Sequence, residues 1–235
     1  LIVGISLGGF ISYKFLGPKA GALLGGILGG LISSTATTVS YARRARRTPQ
    51  IAGLATLVIM IASTIVFGRV LIEVAIVAPD ILPDVIPPLA VMMGWMAFIS
   101  VGLLFFRGGE AEHVPLEEDP SELKAAIVFG VLYAAVLFAV AAVKEHFGNE
   151  ALYIVAALSG LTDMDAITLS TAQMINKDRL DVDTGWRMIL IGALSNLVFK
   201  AGAVAVLGHR RLLLRVTMAF GIALAGGIML LVFWP

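Results

Sequence analysis

The stretch "GLISSTATTVSYA", residues Gly30–Ala42, places a run of hydroxyl side chains in the middle of an apolar segment. Glycines precede this run, and four arginines follow it between Arg43 and Arg47. Lipid cannot hydrogen-bond to backbone groups, so a helix is interrupted at membrane depth only where protein or water satisfies the freed groups. We therefore predict that the segment breaks at the hydroxyl run and that its polar middle faces something other than lipid.

The same pattern returns 130 residues later. The stretch "GLTDMDAITLSTA", Gly160–Ala172, is identical to the first at six of its thirteen positions. A second similarity, at an offset of 132, matches "ASTIVF" (62–67) with "LSNLVF" (194–199). Self-similarity at a fixed spacing indicates an internal repeat, and a shared polar break is unusual between apolar segments. We expect two repeats of four apolar segments each. The eight segments, in chain order, are about 1–16, 18–42, 51–77, 82–106, 123–143, 151–174, 186–207 and 212–234.

The composition indicates the class of protein. Of the 235 residues, 59% are hydrophobic and 14% are charged, whereas a soluble domain of this size needs more polar surface. Several apolar windows reach the roughly 20 residues that a helix needs to cross a bilayer. We therefore predict an all-α integral membrane protein. Its organisation is repeat one (1–106), an acidic loop (107–122) and repeat two (123–235), and each repeat contains a broken or re-entrant helix.

Lysine and arginine counts bear on the topology, because cytoplasmic loops carry an excess of both. If all eight segments cross, nine of these residues lie on one side and six on the other. If the two broken segments re-enter on one side, the split is eleven to four and the repeats are inverted. The second split favours inverted repeats. In both arrangements Arg43–Arg47 and the loop 107–122 are expected in the cytoplasm.

Two carboxylates, Asp163 and Asp165, stand in the second polar break. A charged side chain at the bilayer centre costs roughly 2.5–3.5 kcal/mol on insertion scales. A purely structural explanation is that Ser33, Thr35, Asp163 and Asp165 cap the half-helices that begin at the breaks. A single helix N-cap, however, does not require both Asp163 and Asp165. On an unwound stretch both could converge on a ligand, as at the midplane sites of transporters built from broken helices.

Carboxylates, hydroxyls and exposed carbonyls are hard oxygen ligands that suit Mg²⁺, Ca²⁺, Mn²⁺, Na⁺ or a proton. We therefore expect Asp163 and Asp165 to be the metal ligands. Lys200 is a candidate charge partner for them, whereas Arg69 and Glu73, spaced i,i+4, are expected to form a structural pair. The further expected ligands are polar residues of the two breaks and of segment seven: Thr162, Thr168, Ser33, Thr35, Thr37, Thr38 and Asn196.

The favoured function is a transporter or channel for a small ion, preferably a divalent cation such as Mg²⁺, bound at the broken helices near the bilayer midplane. Two alternatives stay open: a transporter of an anion or small polar solute, which would bind at half-helix N-termini, and a regulatory membrane domain that transports nothing. An enzyme is not expected, because the chain has no cysteine and no nucleophile–base set. We expect no cofactor apart from the transported ion, and no nucleic-acid partner.

The stretches "LGPKAGALLGGILGGLISSTATTVSYARRAR", "ALYIVAALSGLTDMDAITLSTAQM" and "ALSNLVFKAG" resemble the C-terminal membrane domain of MgtC/SapB-type proteins, a domain of unknown function. The resemblance covers essentially the whole chain. It implies the inner membrane of a prokaryote, an upstream MgtC-like membrane domain and an indirect link to Mg²⁺. The other expected partners are the lipid bilayer and, through close packing at glycine-rich segments, a second copy of the chain.

Overall fold

The computed structural model describes the backbone of residues 2–105 and 152–235, and side chains from residue 23 onward. The predicted acidic loop and the fifth apolar segment lie outside these residues. The described residues form seven α-helices and two short 3-10 turns. The helices are α1 (Ile2–Arg47), α2 (Ala52–Val77), α3 (Leu82–Phe105), α4 (Leu152–Thr162), α5 (Met164–Asn176), α6 (Val182–Leu207) and α7 (Arg210–Phe233).

Five stretches of the described residues are long and apolar enough to cross a membrane. Each has 24 or more residues, beyond the roughly 20 that a crossing helix needs. They are Leu23–Arg47, Pro49–Val77, Pro79–Phe105, Val182–Leu207 and Arg210–Phe233. Many large apolar side chains on them are exposed, such as Phe98, Ile76 and Met218. The all-helical fold is therefore the one that the composition predicts, with helices suited to a multi-pass membrane protein.

Helix α1 runs without interruption through the hydroxyl run, so the break predicted at Ser33–Thr38 is wrong. The hydroxyls bond within the helix instead: Thr37 Oγ1 donates to the Ser33 carbonyl at 2.9 Å, and Thr38 Oγ1 to the Ser34 carbonyl at 2.8 Å. Serine and threonine often satisfy themselves in this way at the carbonyl four residues earlier. The first two apolar segments of the sequence accordingly belong to one helix.

The second polar stretch does interrupt its helix, as predicted. Helix α4 ends at Thr162 and α5 begins at Met164, with Asp163 in an extended conformation between them (φ −146°, ψ 114°). The two pieces have 11 and 13 residues, about 16 and 20 Å at 1.5 Å per residue. Each is therefore too short to cross a hydrocarbon core of about 30 Å alone.

Helix ends follow from proline and from polar caps. A 3-10 turn of Pro49–Ile51 separates α1 from α2, and one of Pro79–Ile81 separates α2 from α3. Proline restricts the preceding residue to extended conformations, which ends the earlier helix. At the start of α6, Asp181 Oδ1 accepts the backbone N–H of Thr184 at 2.7 Å. That bond holds the pKa of the exposed Asp181 carboxyl below its usual value.

The chain divides into two compact units, described here separately. Unit 1 comprises Leu1–Phe67, Met93–Glu118 and Lys200–Ala223, and unit 2 comprises Gly68–Met92, Asp119–Phe199 and Leu224–Pro235. These units differ from the predicted repeats, because each unit includes residues from both halves of the sequence. The interrupted helix and both of its aspartates belong to unit 2, whereas the hydroxyl run of α1 belongs to unit 1.

Candidate functional site

The interruption between α4 and α5 is built around the side chain of Asp163. Its Oδ1 accepts the backbone N–H of Asp165 at 2.9 Å and that of Ala166 at 3.4 Å. These amides are among the first four of α5, which have no partner within the helix. Asp163 is therefore an N-cap, which is one of the two roles that the sequence left open for it. The cap uses one carboxylate oxygen, and the residue is exposed.

A side chain from α6 satisfies a backbone group at the end of α4. Asn196 Nδ2 donates to the carbonyl oxygen of Gly160 at 3.0 Å, and Asn196 is 4% exposed. The Gly160 carbonyl lies in the last turn of α4, where the helix supplies no amide four residues further on. Asn196, predicted as an ion ligand, thus supports the interrupted backbone through its amide nitrogen.

Glycine allows α4 to approach α6 closely. A Cβ at Gly160 would overlap the backbone of Gly192, so the two helices touch main chain to main chain. In unit 1 a Cβ at Gly30 would lie 2.7 Å from the carbonyl oxygen of Ala62. Both contacts join residues 32 positions apart, and both glycines begin the similar stretches of the sequence. Each similar stretch therefore contains a glycine pressed against the helix that follows it.

Helix α2 supplies charged groups to the start of α5. Nη2 of Arg69 donates to Oδ2 of Asp165 in a direct ion pair. The same nitrogen lies 4.0 Å from Oε1 of Glu73, one turn further along α2. The carboxyl group of Glu73 is close enough to Asp165 and Asp163 to interact with both. We refer to Arg69, Glu73, Asp163 and Asp165 as the α5 charge cluster.

This cluster is partly shielded from solvent. The side chains of Arg69 and Glu73 are 20% and 19% exposed, and that of Asp165 is 38% exposed. Oε2 of Glu73 is buried and has no hydrogen-bond partner within the described part of the chain. Three carboxylates and one guanidinium give a net charge of −2 when all four groups are ionised. The cluster therefore has an excess of negative charge.

Buried hydroxyls adjoin the same segment. Thr168 and Thr171, one and two turns after Asp165 on α5, are fully buried, and Ser159 on α4 is 6% exposed. Their hydroxyl oxygens have no hydrogen-bond partner among residues 23–105 and 152–235. Thr162 is satisfied, since its Oγ1 donates to the Ser159 carbonyl at 3.1 Å. Unpaired buried hydroxyls are uncommon in proteins, and they can offer oxygen ligands to a guest.

The predicted ligands on α1 lie in the other unit. Thr37 and Thr38 are fully buried and bond to their own helix, and Ser33 Oγ accepts the backbone N–H of Ala36 at 3.2 Å. Thr35, also predicted, is half-buried on the same stretch. The structure thus describes Ser33, Thr35, Thr37 and Thr38 in unit 1, and Thr162, Asp163, Asp165, Thr168 and Asn196 in unit 2.

Lys200, the candidate partner of the aspartates, has a different described contact. Its Nζ donates to Oγ of Ser63 at 3.2 Å in unit 1, and the side chain is 1% exposed. The guanidinium that pairs with Asp165 is that of Arg69. The sequence predicted only the pairing of Arg69 with Glu73, because the i,i+4 spacing of two residues on one helix can be read directly from it. A contact with a residue 96 positions away leaves no pattern in a single sequence. The one available signal was that a charged residue is rare in an apolar segment.

The side chains of the described residues include no group of three or more His, Asp or Glu arranged to hold a metal ion. The closest approach to such a group is the α5 charge cluster, where Arg69 stands between Asp165 and Glu73. A cation bound there would need hydroxyl or backbone oxygens to complete its coordination. The predicted metal ligands, Asp163 and Asp165, consequently lie in an acidic site that contains an arginine.

Within the residues that the structure describes, these features define the class of protein: an all-helical protein with several helices suited to crossing a membrane, an interrupted helix and a charge cluster at the interruption. The chain belongs to the family described as Domain of unknown function (DUF4010), whose model matches residues 1–208. It is 27% identical over 197 residues to an uncharacterized protein of Aquifex aeolicus (strain VF5), covering 81% of this chain and 84% of the relative. No solved structure matches it significantly. These comparisons support the unknown-function domain and do not extend to MgtC/SapB-type proteins.

Proposed function

We propose that this protein is a membrane transporter or channel for a small cation, which binds at the interruption between α4 and α5. The observation that carries the proposal is the α5 charge cluster, where Arg69 lies beside the carboxylates of Asp165 and Glu73, and Glu73 also interacts with Asp163 at the interruption. Charged groups within apolar segments are rare, and they mark pathways of ions or substrates, proton relays and voltage sensors. Divalent cations remain the preferred substrates, since carboxylate and hydroxyl oxygens like those described at the cluster are the ligands that Mg²⁺ and Ca²⁺ take.

The position of the interruption supports an ion site within the membrane. Asp163 lies between helices of 11 and 13 residues, close to the middle of the stretch from Leu152 to Asn176. If this stretch crosses the bilayer, its break lies near the midplane, where broken helices bind ions in known transporters. A Cβ added at Gly192 on α6 would lie 3.1 Å from Ile167, and one added at Gly185 would overlap Ile175, so α5 runs antiparallel to α6.

The arginine and the helix N-terminus also support the second candidate, an anion transporter. Arg69 lies beside the first turn of α5, and both a guanidinium and a helix N-terminus attract anions. In the described arrangement Asp163 caps this N-terminus and Asp165 pairs with the arginine. An incoming anion would have to displace two carboxylates that are part of the chain. The excess of negative charge therefore makes a cation the better candidate.

A thermal-shift screen of the purified protein in detergent tests the proposal. Mg²⁺, Mn²⁺, Ca²⁺, Na⁺, chloride and phosphate are added singly at fixed ionic strength, and the apparent melting temperature is measured. A ligand that binds only the folded state raises this temperature. We expect at least one cation to raise it in the wild type and to lose this effect in Asp165→Asn. Asp183→Asn is the matched control, because Asp183 pairs with Arg187 at the start of α6, away from the interruption.

Asp163 needs two substitutions because it is both a cap and a candidate ligand. Asparagine caps a helix about as well as aspartate, whereas alanine does not. We expect Asp163→Asn to keep the stability of the wild type and to weaken the cation response, and Asp163→Ala to lose both. A cation response that survives in Asp165→Asn and Asp163→Asn would reject the cation site. A response to chloride or phosphate that survives in both would favour the anion candidate, and a lack of response to every ion would favour a regulatory domain.

A further inference from the structure

One nitrogen atom of Arg69 stands between two carboxylates that come from different helices. Nη2 donates to Oδ2 of Asp165 on α5 and lies 4.0 Å from Oε1 of Glu73 on α2. This is the position that a cation shared by the two carboxylates would take. We propose that Arg69 is a built-in competitor, so that its pairing with Asp165 and the binding of the transported cation exclude each other. This inference rests on the proposed cation site and adds to it the group that opposes binding.

The reach of Arg69 makes such an exchange feasible without movement of a helix. Arg69 and Glu73 are one turn apart on the same face of α2, so the guanidinium can leave Asp165 and pair fully with Glu73 through side-chain rotation alone. The observed 4.0 Å separation shows that the pairing with Glu73 is incomplete while Arg69 holds Asp165. Glu73 also keeps a buried Oε2 that accepts no hydrogen bond from any described residue. Glu73 therefore has unused capacity for the displaced guanidinium.

Charge balance also supports the exchange. With Arg69 on Asp165 the carboxylate is neutralised from within the chain, and a cation that replaces the guanidinium neutralises it from outside. The Asp165 carboxylate lies close to that of Glu73, so without either partner it would face a like charge, which is unfavourable. Arg69 would thus neutralise Asp165 while no cation is bound. Only a cation that binds tightly enough to displace the guanidinium would then occupy the site. Fully buried Thr168, one turn after Asp165, has an unpaired hydroxyl that is suited to the incoming cation.

Mn²⁺ titration followed by electron paramagnetic resonance tests this inference, since the free ion gives the signal and binding removes it. The full chain in detergent is compared with R69Q, R69K, E73Q and D165N. We expect R69Q to bind Mn²⁺ at least tenfold more tightly than the wild type, and D165N to bind at least tenfold more weakly. R69K should lie between the wild type and R69Q, because a lysine ammonium lacks the planar fork that matches a carboxylate. If R69Q does not fold, tighter Mn²⁺ binding to R69K than to the wild type tests the same prediction.

A second measurement distinguishes competition from a structural effect of the substitution. Guanidinium ion at low millimolar concentration should weaken Mn²⁺ binding to R69Q by severalfold and leave the wild type nearly unchanged. Binding that depends on Asp165 but is no tighter in R69Q and R69K would overturn the role of Arg69 and leave the cation site intact. Absence of binding in the wild type and in both Arg69 variants would overturn the cation site and the inference together.

Discussion

The guanidinium of Arg69 in α2 donates to the carboxylate of Asp165 in the first turn of α5, 96 positions further along the chain. This pair joins the two helices at the residue where the sequence most clearly departs from an apolar pattern. It also explains how Asp165 is accommodated beside an interrupted helix. The role of Asp165 therefore depends on whether this pair is a fixed structural link or one state of an ion site.

The strength of the pair can be measured with a double-mutant cycle. R69Q, D165N and the double variant are compared by thermal unfolding in a buffer free of divalent cations. Because Asp165 is 38% exposed, solvent screens the pair, and we expect a coupling free energy of about 1 kcal/mol. Strict additivity of the two single effects would show that the ion pair contributes no stability.

Close contact between α4 and α6 makes Gly160 sensitive to any side chain. We expect Gly160→Ala to lower the free energy of unfolding by roughly 1–3 kcal/mol, because the added Cβ overlaps the backbone of Gly192. Gly202→Ala in α6 is the control, since no atom lies within 4 Å of a Cβ there and alanine favours a helix. Equal melting temperatures for the two variants would contradict the described packing.

Asn196 is expected to matter for the integrity of the interruption. Asn196→Leu removes the donor to the Gly160 carbonyl and leaves a buried acceptor unpaired, at a cost of about 1–3 kcal/mol in unfolding free energy. Thr56→Val is the matched control. The buried Thr56 hydroxyl bonds to the Ala52 carbonyl within its own helix at 2.7 Å, so its loss should be nearly neutral. Similar losses of stability in the two variants would argue against a special role for Asn196.

Asp181 should give a pH-dependent contribution to stability. Its carboxylate accepts the N–H of Thr184, which lowers its pKa in the folded state. A group with a lowered folded pKa stabilises the protein above its unfolded pKa and loses that effect as pH falls through the folded pKa. We therefore expect Asp181→Ala to reduce stability by about 1 kcal/mol at neutral pH, with a difference from the wild type that shrinks in acid. A difference that stays constant down to pH 3 would contradict this assignment.

The sequence predicted the features that depend on local patterns. Apolar length and composition predicted the helical membrane class, and the pair Asp163 and Asp165 indicated where a helix is interrupted. The first break was predicted from the run of hydroxyl side chains in an apolar segment, and the structure shows why that run misled. Hydroxyls of Thr37 and Thr38 bond back to their own helix, whereas an aspartate cannot donate a proton to a carbonyl at neutral pH and instead caps a new helix.

Contacts between distant segments were beyond the reach of one sequence. Lys200 was a candidate charge partner for Asp163 or Asp165, but the residue that pairs with Asp165 is Arg69, and Lys200 donates a hydrogen bond to Ser63. Arg69 reaches Asp165 only because α2 and α5 pack together, and hydropathy does not encode which apolar helices are neighbours. The inverted arrangement of the repeats, the cytoplasmic side and the identity of the ion remain predictions.

Ion flux in proteoliposomes tests the central claim that the interruption is a cation site. Vesicles containing the wild type, Asp165→Asn or Asp183→Asn are loaded with ion-sensitive dyes, and entry of Mg²⁺, Mn²⁺, Ca²⁺ and Na⁺ is followed. We predict flux of at least one cation in the wild type and in Asp183→Asn, and its loss in folded Asp165→Asn protein. Equal flux with and without the Asp165 carboxylate, or no flux of any of these cations in the wild type, would contradict the account.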